Sequence, residues 1–283
     1  MTVVIQEKNK DGEWAALSPD TKSEAGEFIQ SLTVHAKGLY TIGTDSVKAD
    51  WFLQIEGGKV TSLVPASGYS EVYGTQSINA PDVQTLAKDL GRIARARQLL
   101  QIAGTSPRGG GLKLDVEVVR FDPPGSKEGK VVPYDSGGRN LKAGDEIAFR
   151  IVNDSNLSID VTLLHVDDRF AITPVFPEPG TVDDNRIPAK ETFVTPRLTV
   201  SSEKPIQEQL VVLAVRSTRE RQDFTCLEQS SLETTRSVPA LQSPLGKLLS
   251  SRIYGGESTR GLQRAETGSY ATRLLTWTAH PAK

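Results

Sequence analysis

The chain has 283 residues, of which 24% are charged and 37% hydrophobic, and its formal net charge is −2 at neutral pH. A chain of this length can bury a core without disulfides or metal ions, as one large domain or two of ordinary size. The near-neutral charge provides no basic excess of the kind that attracts nucleic acid or anionic lipid. We therefore expect neither nucleic acid nor membrane among its partners.

Cys226 is the only cysteine, which excludes a disulfide within the chain and any cysteine-based metal cluster. The first residues, MTVVIQEKNKDGEW, contain no basic segment followed by an apolar stretch, so no signal peptide is expected. No apolar run reaches the roughly 18 residues that a membrane span requires. Together these features predict a cytoplasmic protein.

The first 104 residues are predicted to form a small α+β region. Apolar alternation indicates strands at 3–5 and 28–34, and a β-hairpin at 51–64. The hairpin has a Gly-Gly pair at its centre, and glycine accepts the positive φ angles that a tight two-residue turn needs.

A long helix is predicted over residues 82–103, because leucine, isoleucine and alanine recur there at helical spacing between Pro81-Asp82 and a terminating glycine. Three arginines, Arg92, Arg95 and Arg97, lie beside this apolar stripe. They could contact phosphate groups, but without interleaved aromatic residues we interpret them as a solvated or salt-bridged face.

Residues 105–111 (TSPRGGG) are predicted to be a linker, and 112–283 an antiparallel β-sandwich. Short β-branched runs separated by Gly, Pro, Asn and Asp predict its strands, at 112–121, 146–152, 159–166, 170–176, 192–200, 207–215 and 270–278. A second helix is predicted at 244–254, where Ser243 and Pro244 are suitable first residues. The predicted fold class is therefore mainly β with two helices (α+β), a β-sandwich preceded by the smaller hairpin and helix region.

We identify no catalytic centre, and we expect no bound cofactor. No G-x-S-x-G, P-loop or G-x-G-x-x-G motif is present. The remaining candidate is the thiol of Cys226 with His165 as its base, but Asp223 and Glu228 flank the cysteine and should raise its pKa. An unreactive cysteine and a histidine at a strand end are the favoured interpretation.

Two acidic pairs, Asp167-Asp168 and Asp183-Asp184 followed by Asn185, could supply oxygen ligands to a calcium ion. Their spacing does not match an EF-hand loop. Aspartate is also favoured in β-turns between strands, so turns are the preferred interpretation and no metal ligand is assigned.

Four segments together resemble the non-catalytic, β-rich C-terminal region, of unknown function, that accompanies bacterial caspase-like peptidases of the metacaspase or orthocaspase type. They are KADWFLQIEGGKVTSLVP, DLGRIARARQLLQIAG, LKAGDEIAFRIVNDSNLSIDVTLLHVDDRFAITPVFPEPG and SPLGKLLSSRIYGGESTRG. The third carries the pattern most typical of that region, in Gly144-Asp145, Val166-Asp167-Asp168 and Phe176-Pro177. The resemblance spans most of residues 50–275.

The resemblance implies a non-catalytic regulatory or protein-interaction module, either a partner, a substrate or a C-terminal region of a caspase-like peptidase. The family's catalytic histidine and cysteine have no counterparts in this sequence. Orthocaspases typically prefer basic residues, so Arg216, Arg219 and Arg221 form a candidate protease-sensitive segment. Strand edges and the loops at 122–138 and 178–188 are the surfaces expected to hold a protein partner.

Two other hypotheses remain open from the sequence. One is a cysteine hydrolase with an unrecognised site at Cys226 and His165. The other is a ligand-binding sandwich of the lectin type, although Trp14, Trp51 and Trp277 are too dispersed to indicate a sugar platform.

Overall fold

The computed structural model describes residues 1–18, 20, 24–66, 76–77, 80–105, 112–134, 138–178, 184–229 and 270–282. They belong to two compact units, one within Met1–Arg95 and the other within Ala96–Ser250 and Thr259–Lys283. This part of the chain is mainly β with two helices, which confirms the predicted fold class. The predicted helix 244–254, and the predicted linker 105–111 except for Thr105, lie outside the described residues.

The first unit contains one mixed β-sheet. Its strands are β1 (Thr2–Lys8), β2 (Trp14–Ala16), β3 (Thr41–Gly43), β4 (Trp51–Glu56), β5 (Lys59–Pro65) and β6 (Gln76–Ser77). The order is β2-β1-β4-β5-β6, with β3 also paired to β1. The predicted hairpin is confirmed as β4–β5, and Gly57 and Gly58 at its turn have φ values of +57° and +69°.

Residues 28–34, predicted as a strand, lie instead within helix α1 (Glu24–His35). The strand prediction was wrong because Phe28, Ile29 and Leu32 follow helical spacing, and all three are buried on one helix face. The helix also meets a topological need. Strands β1 and β4 are parallel neighbours, and parallel strands require a long crossover connection.

The predicted long helix is confirmed as α2 (Ala80–Gly104). Its Arg92 is salt-bridged, which is one of the two predicted alternatives, but the pair is buried and not on a solvated face. Its guanidinium lies 3.3 Å from the Asp89 carboxylate one turn earlier, and both side chains are about 5% exposed or less. Among the described residues, no helix is both long enough and apolar enough to cross a membrane.

The buried Asp89 carboxyl makes stability depend on pH. Burial raises its pKa to about 6, against the opposing effect of Arg92. An acid with a raised pKa in the folded state binds extra protons there, so stability falls as the pH rises from about 4 to about 6. We expect a loss of about 2–3 kcal/mol across this window, and a flatter curve for Asp89→Asn.

Urea unfolding of both proteins at several pH values checks this prediction. The matched control is Asp45→Asn, because Asp45 and Lys48 form an exposed ion pair of the same i,i+3 spacing. That variant should keep the wild-type pH dependence. Identical curves for the wild type and Asp89→Asn would contradict the assignment.

The second unit contains two sheets. The first consists of β7 (Leu114–Phe121), β8 (Lys130–Val131), β10 (Glu146–Asn153), β14 (Thr192–Val194) and β15 (Leu198–Thr199). The other consists of β9 (Asn140–Lys142), β11 (Ile159–Val166), β12 (Ile172–Phe176), β13 (Arg186–Ile187), β16 (Ile206–Arg216) and β17 (Tyr270–His280). All pairings are antiparallel except that of β9 with β17. The predicted strand 192–200 is divided by Pro196, which cannot donate a backbone hydrogen bond.

The two sheets pack face to face around one hydrophobic core, which confirms the predicted sandwich. Phe149 of β10 lies across from Trp277 of β17, with ring centroids 6.0 Å apart. The predicted burial of Trp277 is confirmed at 7% exposure. On β11, Val161 and Leu163 point into this core.

The opposite face of β11 is also buried. Asp160 and Thr162, which alternate with the core residues, are fully buried although they are polar. Residues 217–229 lie over this face, and Phe224 and Leu227 are buried beneath the surface there. The backbone N–H of Phe224 donates to the Thr162 hydroxyl at 3.1 Å. This covering segment contains most of the candidate residues predicted from the sequence.

Candidate functional site

His165 lies on the core-facing side of β11, near the end of the sandwich. Its ring stacks on Trp277 with centroids 6.3 Å apart, and its Nε2 atom contacts the carboxylate of Glu208 on the neighbouring strand β16. These contacts fix the imidazole between a carboxylate and an indole. The histidine thus belongs to the end of the core, as its position in the strand pattern indicated.

Cys226 lies in a 3₁₀ turn, Thr225–Leu227, within the segment that covers the other face of the same sheet. That face carries Thr162, three residues before His165 and therefore on the opposite side of β11. The structure does not bring Cys226 and His165 together. The geometry therefore contains no Cys–His dyad between these two residues.

The environment of Cys226 also suppresses thiolate formation. Burial, with a further contribution from the charge of Asp223, raises the pKa of the thiol to about 11. The direction agrees with the sequence-based expectation, but desolvation is the larger cause. A structural thiol, not an activated nucleophile, fits this environment.

We expect alkylation of Cys226 by iodoacetamide at pH 8 to be about 100-fold slower in the folded protein than in urea, because two pKa units reduce the thiolate fraction by that factor. The folded rate should also rise about tenfold per pH unit up to about pH 10. Mass spectrometry of quenched time points gives both rates. Equal reactivity in the folded and unfolded states would restore the hydrolase hypothesis.

The three candidate arginines lie on one exposed turn, residues 216–221, which we call the arginine loop. Arg216 is the last residue of β16 and pairs with Ile159, whereas Arg219 lies near the middle of the loop. Arg221 donates to the Asp184 carboxylate at 2.8 Å. All three arginines and Glu220 are exposed, so basic side chains outnumber the single acidic one on this loop.

A single buried carboxylate holds both ends of the arginine loop. Asp160 is fully buried and accepts hydrogen bonds from the Ser217 hydroxyl at 2.6 Å and from the Gln222 backbone N–H at 3.1 Å. It also accepts hydrogen bonds from Nε and from one terminal nitrogen of Arg186, at 2.8 and 3.2 Å. This two-point ion pair raises the pKa of Arg186 further above its already high value and keeps both charges in place.

Asn185 adds a second connection at the far end of the loop. Its side-chain amide donates to the backbone carbonyls of Gln222 and Val161, at 2.9 and 3.2 Å. Residues on each side of the arginine loop are thus bonded to the sheet beneath. The loop is therefore anchored at both ends.

The sequence interpretation missed Asp160 and Arg186. Asp160 stands in the strand IDVTLLHV, where a carboxylate among apolar residues signals a buried partner. Arg186 follows the sequence Asp-Asp-Asn, which gave no such signal. Only the pairing of β11 with β13 places the two side chains together.

The acidic pairs show turn geometry where they are described. Asp167 accepts from the backbone N–H groups of Arg169 and Ala171, at 2.9 and 2.7 Å, which is the turn predicted for it. The Asp168 carboxylate forms an ion pair with the Lys204 ammonium group at 3.7 Å. Asp184 caps a local turn and pairs with the arginine loop, and Asp183 lies outside the described residues. Within the described ranges no group of three or more potential metal ligands is clustered.

No protein-family model and no curated protein sequence matches this chain. The candidate site is therefore defined by its own geometry: an exposed basic loop, a buried carboxylate that fixes both of its ends, and a cavity at its base.

Proposed function

We propose that this chain is a non-catalytic interaction module of a bacterial caspase-like protease system, and that the arginine loop is the segment recognised by the peptidase. The observation that carries the proposal is an exposed loop of three arginines held at both ends by buried Asp160. The resemblance of the sequence to regions that accompany caspase-like peptidases, which prefer basic residues, supports the same assignment.

The three arginines differ in their suitability as cleavage points. The peptide bond after Arg216 lies between a paired strand residue and Ser217, whose N–H donates to the Ser158 carbonyl at 3.0 Å. The bond after Arg221 is held because the Gln222 N–H donates to Asp160. Only the bond after Arg219 lies between these anchors, and the contact across it is the exposed one from the Thr218 hydroxyl to the Glu220 carbonyl at 2.8 Å. Proteases cut accessible segments that open locally, so we expect cutting after Arg219.

The anchors also predict the state of the protein after cleavage. Both new ends stay bonded to Asp160, and Phe224 stays buried over β11. The nicked protein should therefore remain folded, as a processed partner would need to.

Loops are better suited than strand edges to hold the partner. The edge strands β8, β14 and β15 have two or three residues each. Edge strand β12 has Pro174 at its centre, which removes a backbone donor. Short and proline-containing edges discourage the addition of a peptide strand.

The test is incubation of the folded protein with an orthocaspase of basic specificity, followed by mass spectrometry of the products. Cleavage after Arg219, its loss in Arg219→Gln, and co-elution of both fragments on size exclusion are the expected results. Arg169→Gln is the control, because Arg169 lies in a different exposed turn. An uncut protein, or cutting confined to other sites, would exclude the arginine loop as the recognised segment.

A further inference from the structure

A second feature at the base of the arginine loop is a cavity of about 300 Å³, lined by Leu157, Ser158, Arg186, Arg216, Ser217 and Thr218. This volume lies at the lower end of the range of small-molecule sites. Among the described residues its lining contains two arginines and three hydroxyl-bearing residues and no acidic residue. The Ser217 and Thr218 hydroxyls already donate to Asp160 and to the Glu220 carbonyl, so the donors left for a ligand are those of the arginines and of Ser158.

The two arginines differ in how they are held. Arg186 is fixed by its ion pair with Asp160 through Nε and one terminal nitrogen, and no hydrogen bond of its other terminal nitrogen is seen within the described residues. Arg216 forms no side-chain hydrogen bond or ion pair with any residue that the structure describes. One guanidinium is therefore pre-positioned, and the other has no carboxylate partner among the described residues.

The surrounding charges favour an anion at this place. Asp160 is neutralised by Arg186, and Asp184 is paired with Arg221 at 2.8 Å. Among the described residues, no carboxylate forms an ion pair with Arg216 beside the cavity. A pair of guanidinium groups with an adjacent hydroxyl donor, here Ser158, is an arrangement suited to phosphate oxygens.

We propose that this cavity binds a phosphate group, as inorganic phosphate or as the phosphate of a small molecule whose organic part contacts Leu157. Arg186 and Arg216 hold the phosphate oxygens from two sides, and the Ser158 hydroxyl donates a further hydrogen bond. The site does not depend on the proposed interaction with a peptidase, since its ligand contacts the base of the loop and not the exposed Arg219.

The test is a titration of the ¹⁵N-labelled protein with inorganic phosphate at constant ionic strength, observed through the backbone amides of Ser217 and Thr218. We expect saturable shifts with a millimolar dissociation constant and at least about tenfold weaker binding in Arg216→Gln. Arg219→Gln is the matched control, because it removes the same charge from the same loop without lining the cavity, and it should change the affinity by less than about twofold.

Three results would overturn the proposal. The first is the lack of saturable shifts at up to about 50 mM phosphate. The second is an equal loss of affinity in Arg216→Gln and Arg219→Gln, which would indicate general electrostatic attraction. The third is equally tight binding of acetate, which would assign the site to carboxylates. The exposed position of Arg216 makes it suitable for substitution, and the amide spectrum outside the loop verifies that the variant is folded.

Discussion

Replacing Asp160 with alanine is expected to lower the free energy of unfolding by about 3–4 kcal/mol, because it leaves Arg186 without its buried partner and removes the acceptor of two further hydrogen bonds. Arg186 is 29% exposed and can be solvated in part, which keeps the loss below the upper end for fully buried pairs. Urea unfolding followed by circular dichroism measures the change.

The same substitution should alter the arginine loop. Without Asp160, the Gln222 N–H loses its acceptor, and the peptide bond after Arg221 becomes accessible. Trypsin should then cut after Arg221 as well as after Arg219. The bond after Arg221 should be cut at least about tenfold faster than in the wild type. Digestion at low temperature, where the variant stays folded, separates this local opening from global unfolding.

Asp184→Ala is the control for both effects. Asp184 also pairs with an arginine of this region, but both side chains of that pair are more than half exposed. Its loss should cost less than about 1 kcal/mol and leave the peptide bond after Arg221 protected. If Asp160→Ala behaved like Asp184→Ala, the buried carboxylate would not be the anchor of the loop.

The second large effect concerns Asn153, the last residue of β10, which is fully buried. Its side-chain amide donates to the carbonyls of Leu157, Ile187 and Pro188, at 2.9, 3.1 and 2.8 Å. Its side-chain oxygen accepts from the Ser155 N–H at 3.1 Å. One side chain thus connects the β10–β11 turn with the end of β13.

Asn153→Ala should destabilise the protein by about 3–5 kcal/mol, since it leaves several buried backbone groups without partners. Asn153→Asp keeps the shape but turns carboxylate oxygens toward carbonyl oxygens. Because its neutral form is favoured in the fold, this variant should be more stable at acid pH than at neutral pH. Unfolding curves at the two pH values test the difference.

Asn156→Asp is the matched control, because Asn156 lies in the same turn and is exposed. It should change the stability by less than about 0.5 kcal/mol at either pH. A similarly small effect at Asn153 would mean that its hydrogen bonds do not determine the stability of this end of the sandwich.

Several features of the fold could be predicted from local sequence pattern. Strand β11 was predicted at its observed bounds, because a continuous β-branched run with turn residues on each side has few other conformations. The hairpin at Gly57 and Gly58 is a local feature of the same kind. Residues 28–34 were mispredicted because a short apolar run satisfies both strand and helix periodicity, and the crossover between parallel strands selects the helix.

The candidate site could be predicted only in part. The basic residues of the arginine loop, the turn at Asp167 and the low reactivity expected of Cys226 all follow from residue types and their immediate neighbours. The partners of Asp160, Asn153 and Arg92 could not be predicted in this way. Asp160 and Asn153 bond to residues tens of positions away in the chain, and the burial of Arg92 depends on which face of its helix is covered.

The sequence by itself determined the mainly β fold class, most strand positions and the exposed basic character of residues 216–221, because these depend on interactions over a few residues. Only the tertiary structure decided that Cys226 and His165 lie on opposite faces of one sheet, and that Asp160 holds the ends of the arginine loop. The physical reason is that these contacts join residues far apart in the chain: strand pairing brings Arg186 to Asp160, and the segment that covers the sheet brings Gln222 to it. A buried carboxylate can then satisfy its hydrogen bonds only with the groups that the tertiary fold brings to it.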